Sequence, residues 1–228
     1  IMAKNNGKKL IEFDFPKLKI GSVENEIGPT GVTTFYFPEK AIGAVDVRGG
    51  APGTYNTEWL KLGYDFRNLD AITIGGGSWY GLVAAGGVSA AIKKSGIRSG
   101  HWSNLANVAG AIIYDLGERR ANEIHPDEAL GEKSFGACES GKFFCGAAGA
   151  GRMTMQGSLF GECIHSGQGG SVRQINNIKI GCFTVVNSVG LIVNRENEIS
   201  VGNQRLEASD TSIFGLLNSF PQRLQTVP

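Results

Sequence analysis

The stretch from Asp70 to Lys94 constrains the fold most. A short apolar and β-branched run, Asp70-Ala71-Ile72-Thr73-Ile74, enters Gly75-Gly76-Gly77-Ser78 and leaves as a helix-patterned segment from Trp79 to Lys94. Ser78 is placed to cap that helix, Lys93 and Lys94 suit the negative end of its dipole, and Gly96 suits its exit. The interior is almost entirely small: Gly81, Ala84, Ala85, Gly86, Gly87, Ser89, Ala90 and Ala91. Each glycine inside a helix costs about 1 kcal/mol relative to alanine. A helix carrying several of them predicts a neighbour that approaches too closely for side chains, and hence a buried position in a layered structure. A phosphate could in principle sit at such a strand–glycine–helix turn. The glycines are out of register for GxGxxG, however, and no lysine follows in P-loop position.

The rest of the chain alternates strand and helix signals. Leu10 to Phe15 alternates apolar and acidic residues and reads as a half-buried strand ended by Pro16; Leu18 to Ser22 reads as a second. Gly31 to Phe37 and Ala41 to Val47 are further strands, followed by a sharp loop, Arg48-Gly49-Gly50-Ala51-Pro52-Gly53. Leu105 to Leu116 is apolar. His125-Pro126-Asp127-Glu128 opens a helix with proline in its first turn, running to about Cys138. Phe144 to Gly151 is a loop rich in glycine and alanine. Val189 to Val201 reads as a hairpin, Thr211 to Phe220 as a helix stopped by Pro221, and Gln222 to Pro228 as a tail. The sum is one α/β layered domain, sheet packed on sheet with helices outside.

Composition removes several function classes. Lys and Arg number 22 against 21 Asp and Glu, so no basic field is present to draw nucleic acid or an anionic membrane. No apolar run reaches the ~18 residues of a membrane span, and the opening residues carry no apolar signal region. The four cysteines (Cys138, Cys145, Cys163, Cys182) form no CxxC pair. They read as free, buried thiols in a reducing, cytoplasmic setting. The histidines are scattered, so neither a metal site nor a cofactor is indicated. No GxSxG elbow occurs, and no Ser, Cys or Thr stands beside a histidine in a recognisable hydrolase motif. The chain carries glycine-shaped architecture without a complete catalytic set.

One further run stands out. Asn177 to Val186 is mostly apolar and reads as a strand buried on both faces, ending in Asn187-Ser188. An asparagine there is either a turn residue, bonded to its own backbone, or a polar group held by a rigid strand end and aimed into a site. Tyr114, in Ala111-Ile112-Ile113-Tyr114-Asp115-Leu116, poses the same choice between a core tyrosine and a site residue. Trp79 and Tyr80 are expected to pack in the core rather than line a pocket.

These runs resemble a known family. Val45-Asp46-Val47-Arg48-Gly49-Gly50-Ala51-Pro52-Gly53, Asp70 to Leu82, Ala111 to Leu116 and Val186-Asn187-Ser188-Val189-Gly190 are similar, in order, to blocks of the D-aminopeptidase/β-peptidyl aminopeptidase family. That family comprises self-processing N-terminal-nucleophile hydrolases. Phe13-Asp14-Phe15-Pro16, Gly28-Pro29-Thr30-Gly31, Gly63-Tyr64-Asp65-Phe66, His125-Pro126-Asp127 and Gly167-Gln168-Gly169 resemble its nylon-oligomer (6-aminohexanoate oligomer) hydrolase branch. The resemblance covers about Glu12 to Arg195.

The resemblance implies a four-layer αββα sandwich and a precursor that cuts itself, freeing a Ser or Thr at the start of a small β chain. Residues 1–228 would then be the large fragment, and the nucleophile would lie on the other chain. Tyr114 and Asn187 would stabilise the oxyanion. The substrate would be a small amide, peptide or nylon-like oligomer, and αβ units would associate into a homo-oligomer. One departure is visible: the branch carries a lysine after its glycine-rich loop, where this chain has Ser158, with Arg152 the nearby cation. An acyltransferase on the same fold and a catalytically inactive binding homologue are the alternatives.

Overall fold

The computed structural model describes residues 9–63, 65–119, 122–157 and 164–187, together with 190, 192 and 195. In chain order the strands are β1 (Lys9–Glu12), β2 (Lys19–Asn25), β3 (Thr30–Ile42), β4 (Thr54–Tyr55), β5 (Asn68–Gly75), β6 (Val108–Ile112), β7 (Glu139–Ser140), β8 (Lys142–Cys145), β9 (Met155–Gln156), β10 (Ile164–His165), β11 (Gln168–Ile175) and β12 (Ile178–Val185). The helices are α1 (Val83–Lys94), α2 (Leu116–Arg119) and α3 (Glu128–Gly136).

A six-stranded sheet, ordered β4-β6-β5-β3-β2-β7, forms the centre. Only β5 and β6 run parallel, because α1 carries the chain back between them; the other neighbours are antiparallel. β3 is the strand covered on both faces, and Thr30 to Tyr36 are all buried. Its period-two alternation sorts two cores. Val32, Thr34 and Tyr36 meet the helices: Val32 packs with Ala84 and Leu130, the Thr34 hydroxyl lies 2.6 Å from that of Ser134, and Tyr36 joins Val88, Ile92 and Val108. Phe35 on the other face joins Leu18, Ile20 and Phe143, with Phe13 and Phe183 against them.

That second face is covered by two antiparallel ribbons, β1–β8 and β11–β12, linked by a bridge between Gly146 and Gln168. The described residues therefore stack helices, a sheet and a ribbon layer. This is the α/β layering expected from the sequence. The helix expected over Thr211–Phe220, the tail and most of the Val189–Val201 hairpin lie outside the described residues.

Close approach to α1 takes place at Gly87. A Cβ on Gly87 would collide with the carbonyl oxygen of Glu128 and lie 2.7 Å from that residue's Cα; a Cβ on Gly131 would meet the Ala84 backbone in return. Backbone thus packs on backbone where α1 crosses α3.

Several expectations are corrected. The segment after the glycine turn begins as a 3₁₀ turn, Ser78–Leu82, and becomes α-helical only at Val83. Ser78 is not its cap: Gly77 holds that position with φ 78°, and no side chain caps the turn. In α3 the cap is Asp127, whose carboxylate accepts from Leu130 N at 2.8 Å, so Pro126 precedes the helix, which ends at Gly136. Gly31–Phe37 and the start of Ala41–Val47 belong to the single strand β3, whose register shifts between Tyr36 and Ala41. Pro38, without an N–H to donate, sits in that irregularity. The run Asn177–Val186 is a strand but is not buried on both faces. Ile178, Ile180 and Cys182 are exposed, while Phe183 reaches the aromatic cluster. An apolar run alone does not say how many faces will be covered.

Candidate active site

The end of β6 is clamped from three sides. Ile113 N donates to Gly75 O (2.8 Å) and Ser78 N to Ile113 O (3.0 Å), which fastens the strand end to the glycine turn. Ile112 N donates to Gly53 O at 3.0 Å, so the Arg48–Gly53 loop closes on the same point. Gly53 has φ 48°, and a Cβ there would lie 2.6 Å from Ile112 Cγ1, so both shape and backbone angle call for glycine.

Tyr114 and Asn187 meet at this point. The backbone N–H of Tyr114 donates to Asn187 Oδ1 at 2.9 Å, across 73 residues of chain. The contact settles which way the asparagine amide faces. A backbone N–H can only donate, so the atom it meets is the carbonyl oxygen. The NH₂ end of Asn187 is therefore the end presented away from Tyr114 N. The side chain of Asn187 reaches another strand end, and Tyr114 is 47% exposed rather than a core residue. Asn187 is itself held in place from behind: Val186 N donates to Gly167 O (3.1 Å), Ser166 Oγ to Val186 O (3.2 Å), and Gly167 N to the buried Thr154 hydroxyl (2.7 Å).

Asp115 was not among the candidate residues, yet it ties this region together. It is 2% exposed; it accepts from Thr30 Oγ1 at 2.6 Å and from Gly77 N at 2.7 Å. Its carboxylate thus occupies the Gly77 N–H of the glycine turn. The available signal was an acid directly after an apolar strand and beside Tyr114. Trp79 and Tyr80 are corrected as well: they are 66% and 55% exposed, and Tyr80 stacks on His125 with ring centroids 5.3 Å apart.

Arg152, the nearby cation, is paired within the fold. Its Nε lies 3.3 Å from the carboxylate of Glu24, both largely buried, and Glu24 also accepts from Gly149 N. Ser158 lies outside the described residues. Cys138, Cys145 and Cys182 are free thiols as expected, but the first two are half-buried and Cys182 is exposed rather than buried; Cys163 lies outside the described residues. Cys138 is partly buried, and burial pushes its thiol up to about 12. An open groove of about 1040 Å³ lies at the other end of β6, past Asn107, lined by Trp59, Arg98 and Trp102 among others. It is remote from Tyr114. Among the described residues no helix is long and apolar enough to cross a membrane.

Residues 13–217 match the description of peptidase family S58. The chain belongs to peptidase family S58. It is 37% identical over 201 residues to a 6-aminohexanoate-oligomer endohydrolase of Paenarthrobacter ureafaciens, an alignment covering 88% of this chain and 54% of that protein. A 6-aminohexanoate-oligomer endohydrolase of Kocuria sp. is also 37% identical, over 100% of this chain and 62% of that protein. The chain thus spans somewhat over half the length of these S58 relatives. Among solved structures, the L-aminopeptidase D-Ala-esterase/amidase of Ochrobactrum anthropi superposes with a TM-score of 0.54 at 15% identity, over 75% of this chain and 52% of that one. That protein is described as a new variant among the Ntn hydrolase fold, and the likeness extends that fold to this chain.

Proposed function

We propose that this chain is the large part of a self-processed N-terminal-nucleophile amidohydrolase that cleaves amide bonds of small peptides, amino-acid amides or nylon-like oligomers. The observation that carries the reading is the contact of Tyr114 N–H with Asn187 Oδ1, which joins two distant strand ends and turns the asparagine's NH₂ outward. The four-layer αββα sandwich belongs to the same reading, as does association of αβ units into a homo-oligomer.

In this mechanism a Ser or Thr at the start of the small chain attacks the amide carbonyl. A hydroxyl is a weak nucleophile until a base takes its proton. The α-amine of the same residue, titrating near pH ~8, is suited to that task. As the carbon becomes tetrahedral, the carbonyl oxygen gains negative charge. The Asn187 NH₂ and the Tyr114 hydroxyl donate to it there. Donors held in place before the charge develops favour the transition state over the bound substrate; losing one costs about 3 kcal/mol. Collapse expels the amine, taking the proton from the α-ammonium, and leaves an ester on the nucleophile. Water then attacks that ester and releases the acid.

Intact mass spectrometry of the full-length gene product tests the reading. Two chains are expected, the shorter beginning with Ser or Thr. A single uncut chain with full amidase activity would overturn it.

A further inference from the structure

Asp115 is a buried carboxylate that the proposed chemistry does not use. It is 2% exposed, and the donors it accepts from come from two other segments, Thr30 at the start of β3 and Gly77 in the glycine turn. Thr30 itself is fully buried. The neighbouring glycine is shaped to this contact: a Cβ on Gly76 would collide with both Asp115 Oδ2 and Thr30 Oγ1. The next residue back from Asp115 is Tyr114, whose N–H sets the asparagine amide. The carboxylate therefore pins β3, the glycine turn and the strand end at one point, one residue from the oxyanion donors.

We propose that Asp115 is a positioning residue for the oxyanion pair: by holding the Tyr114 peptide in place it sets where the Tyr114 hydroxyl and the Asn187 amide point. The inference rests on the oxyanion role proposed above for those two residues. Two features separate this role from a general contribution to folding. One is that its contacts to Thr30 Oγ1 and Gly77 N are hydrogen bonds to neutral donors. An asparagine there can accept from Gly77 N with its oxygen and donate to the Thr30 hydroxyl with its NH₂. The other feature is that Gly76, Thr30 and Asp115 act as one unit, so their effects are coupled.

The test is steady-state kinetics on the full-length, processed enzyme with 6-aminohexanoate oligomer or an amino-acid p-nitroanilide, on which wild type turns over. Rates are normalised to the folded fraction read from thermal unfolding. Misplacing a catalytic group by ~1 Å can cost ~10²-fold. Asp115→Ala and Gly76→Ala should each lower kcat by about 10- to 100-fold with KM within about 2-fold, since the donors act only on the transition state. The double variant should lose no more than the worse single one, and Asp115→Asn should recover kcat to within about 3-fold of wild type. Should Asp115→Ala not fold, Thr30→Val removes the Thr30 hydrogen bond to Asp115 with almost no change of shape and should show the same kcat-selective loss. Asn187→Ala serves as the reference. If it abolishes turnover while the Asp115, Gly76 and Thr30 variants leave kcat unchanged, the positioning role is wrong and the oxyanion reading stands. If Asn187→Ala leaves kcat unchanged, the oxyanion reading itself fails. An Asp115→Asn variant as impaired as Asp115→Ala would also overturn the proposal, because the contacts to Thr30 and Gly77 that asparagine can keep would then not be what positions the pair.

Discussion

Replacing either of two adjacent glycines by alanine in α1 should change stability in opposite directions. Both residues lie in the helix interior, so each alanine gains about 1 kcal/mol of helix propensity. Their surroundings differ. A Cβ on Gly86 meets nothing closer than the Tyr55 hydroxyl at 3.9 Å, an ordinary contact. A Cβ on Gly87 collides with Glu128 O and sits 2.7 Å from Glu128 Cα and 2.8 Å from its carbonyl carbon. These are backbone atoms at the start of α3, in the residue that follows its Asp127 cap. They cannot rotate away as a side-chain end could, so α3 must retreat. Overpacking against backbone that cannot rotate aside falls in the upper part of the usual range, about 2–3 kcal/mol, and it also disturbs the reciprocal contact of Gly131 with Ala84.

Gly86→Ala should therefore stabilise by up to about 1 kcal/mol, while Gly87→Ala should destabilise by about 1–2 kcal/mol net. In a protein of this size these correspond to roughly +2 to +4 °C and −2 to −8 °C in Tm. Differential scanning calorimetry on the full-length protein, with urea titration as a second measure, reads both. Two variants that shift Tm in the same direction would refute the argument that the small residues of α1 answer to a close backbone neighbour.

Tyr114→Phe keeps the backbone N–H that orients Asn187 and removes only the hydroxyl, so kcat should fall by about 10²-fold with Tm unchanged. Asn187→Asp can still accept from Tyr114 N but has no NH₂ to donate; its kcat should fall as far as that of Asn187→Ala while it unfolds at nearly the wild-type temperature. The Cys138 thiol, raised from the usual 9.0 to about 12 by burial, keeps its proton in the fold where the unfolded chain would lose it. Stability should be fully retained below pH 9 and decline as pH rises from there towards 12, and denaturant titrations should show a flatter decline in Cys138→Ala. Arg98→Met leaves buried Asp70 without the guanidinium whose Nε lies 2.8 Å away, with Lys40 Nζ farther off at 3.6 Å. A loss of about 3 kcal/mol is expected by urea unfolding.

Much of the architecture was legible because local chemistry dictates it. Alternation marked β1, β-branched runs marked β3 and β5, and small residues marked the helix that another element would touch. The errors share one cause: each depended on partners distant in sequence. Ser78 looked like a cap because serine usually is one, yet with Gly77 N bonded to Asp115 and Ser78 N to Ile113 O the turn starts one residue earlier, with Gly77 in the cap position. The apolar run of β12 looked doubly buried, yet it lies in an outer ribbon with one face on the Phe35–Phe143 cluster. Trp79 and Tyr80 looked like core residues by type, yet the 3₁₀ turn at Ser78–Leu82 carries them outward.

For the site the division is similar. Motif resemblance named Tyr114 and Asn187 but could not say that they touch, nor which end of the asparagine faces out. Residue types and their order along the chain determined the strands, the glycine-shaped crossing and the family, because each rests on local conformational preference and pattern. Tertiary structure alone decided the pairing across 73 residues, the amide orientation and the contacts of buried Asp115 with Thr30 and Gly77. A hydrogen bond between distant segments exists only once packing has brought donor and acceptor within about 3 Å.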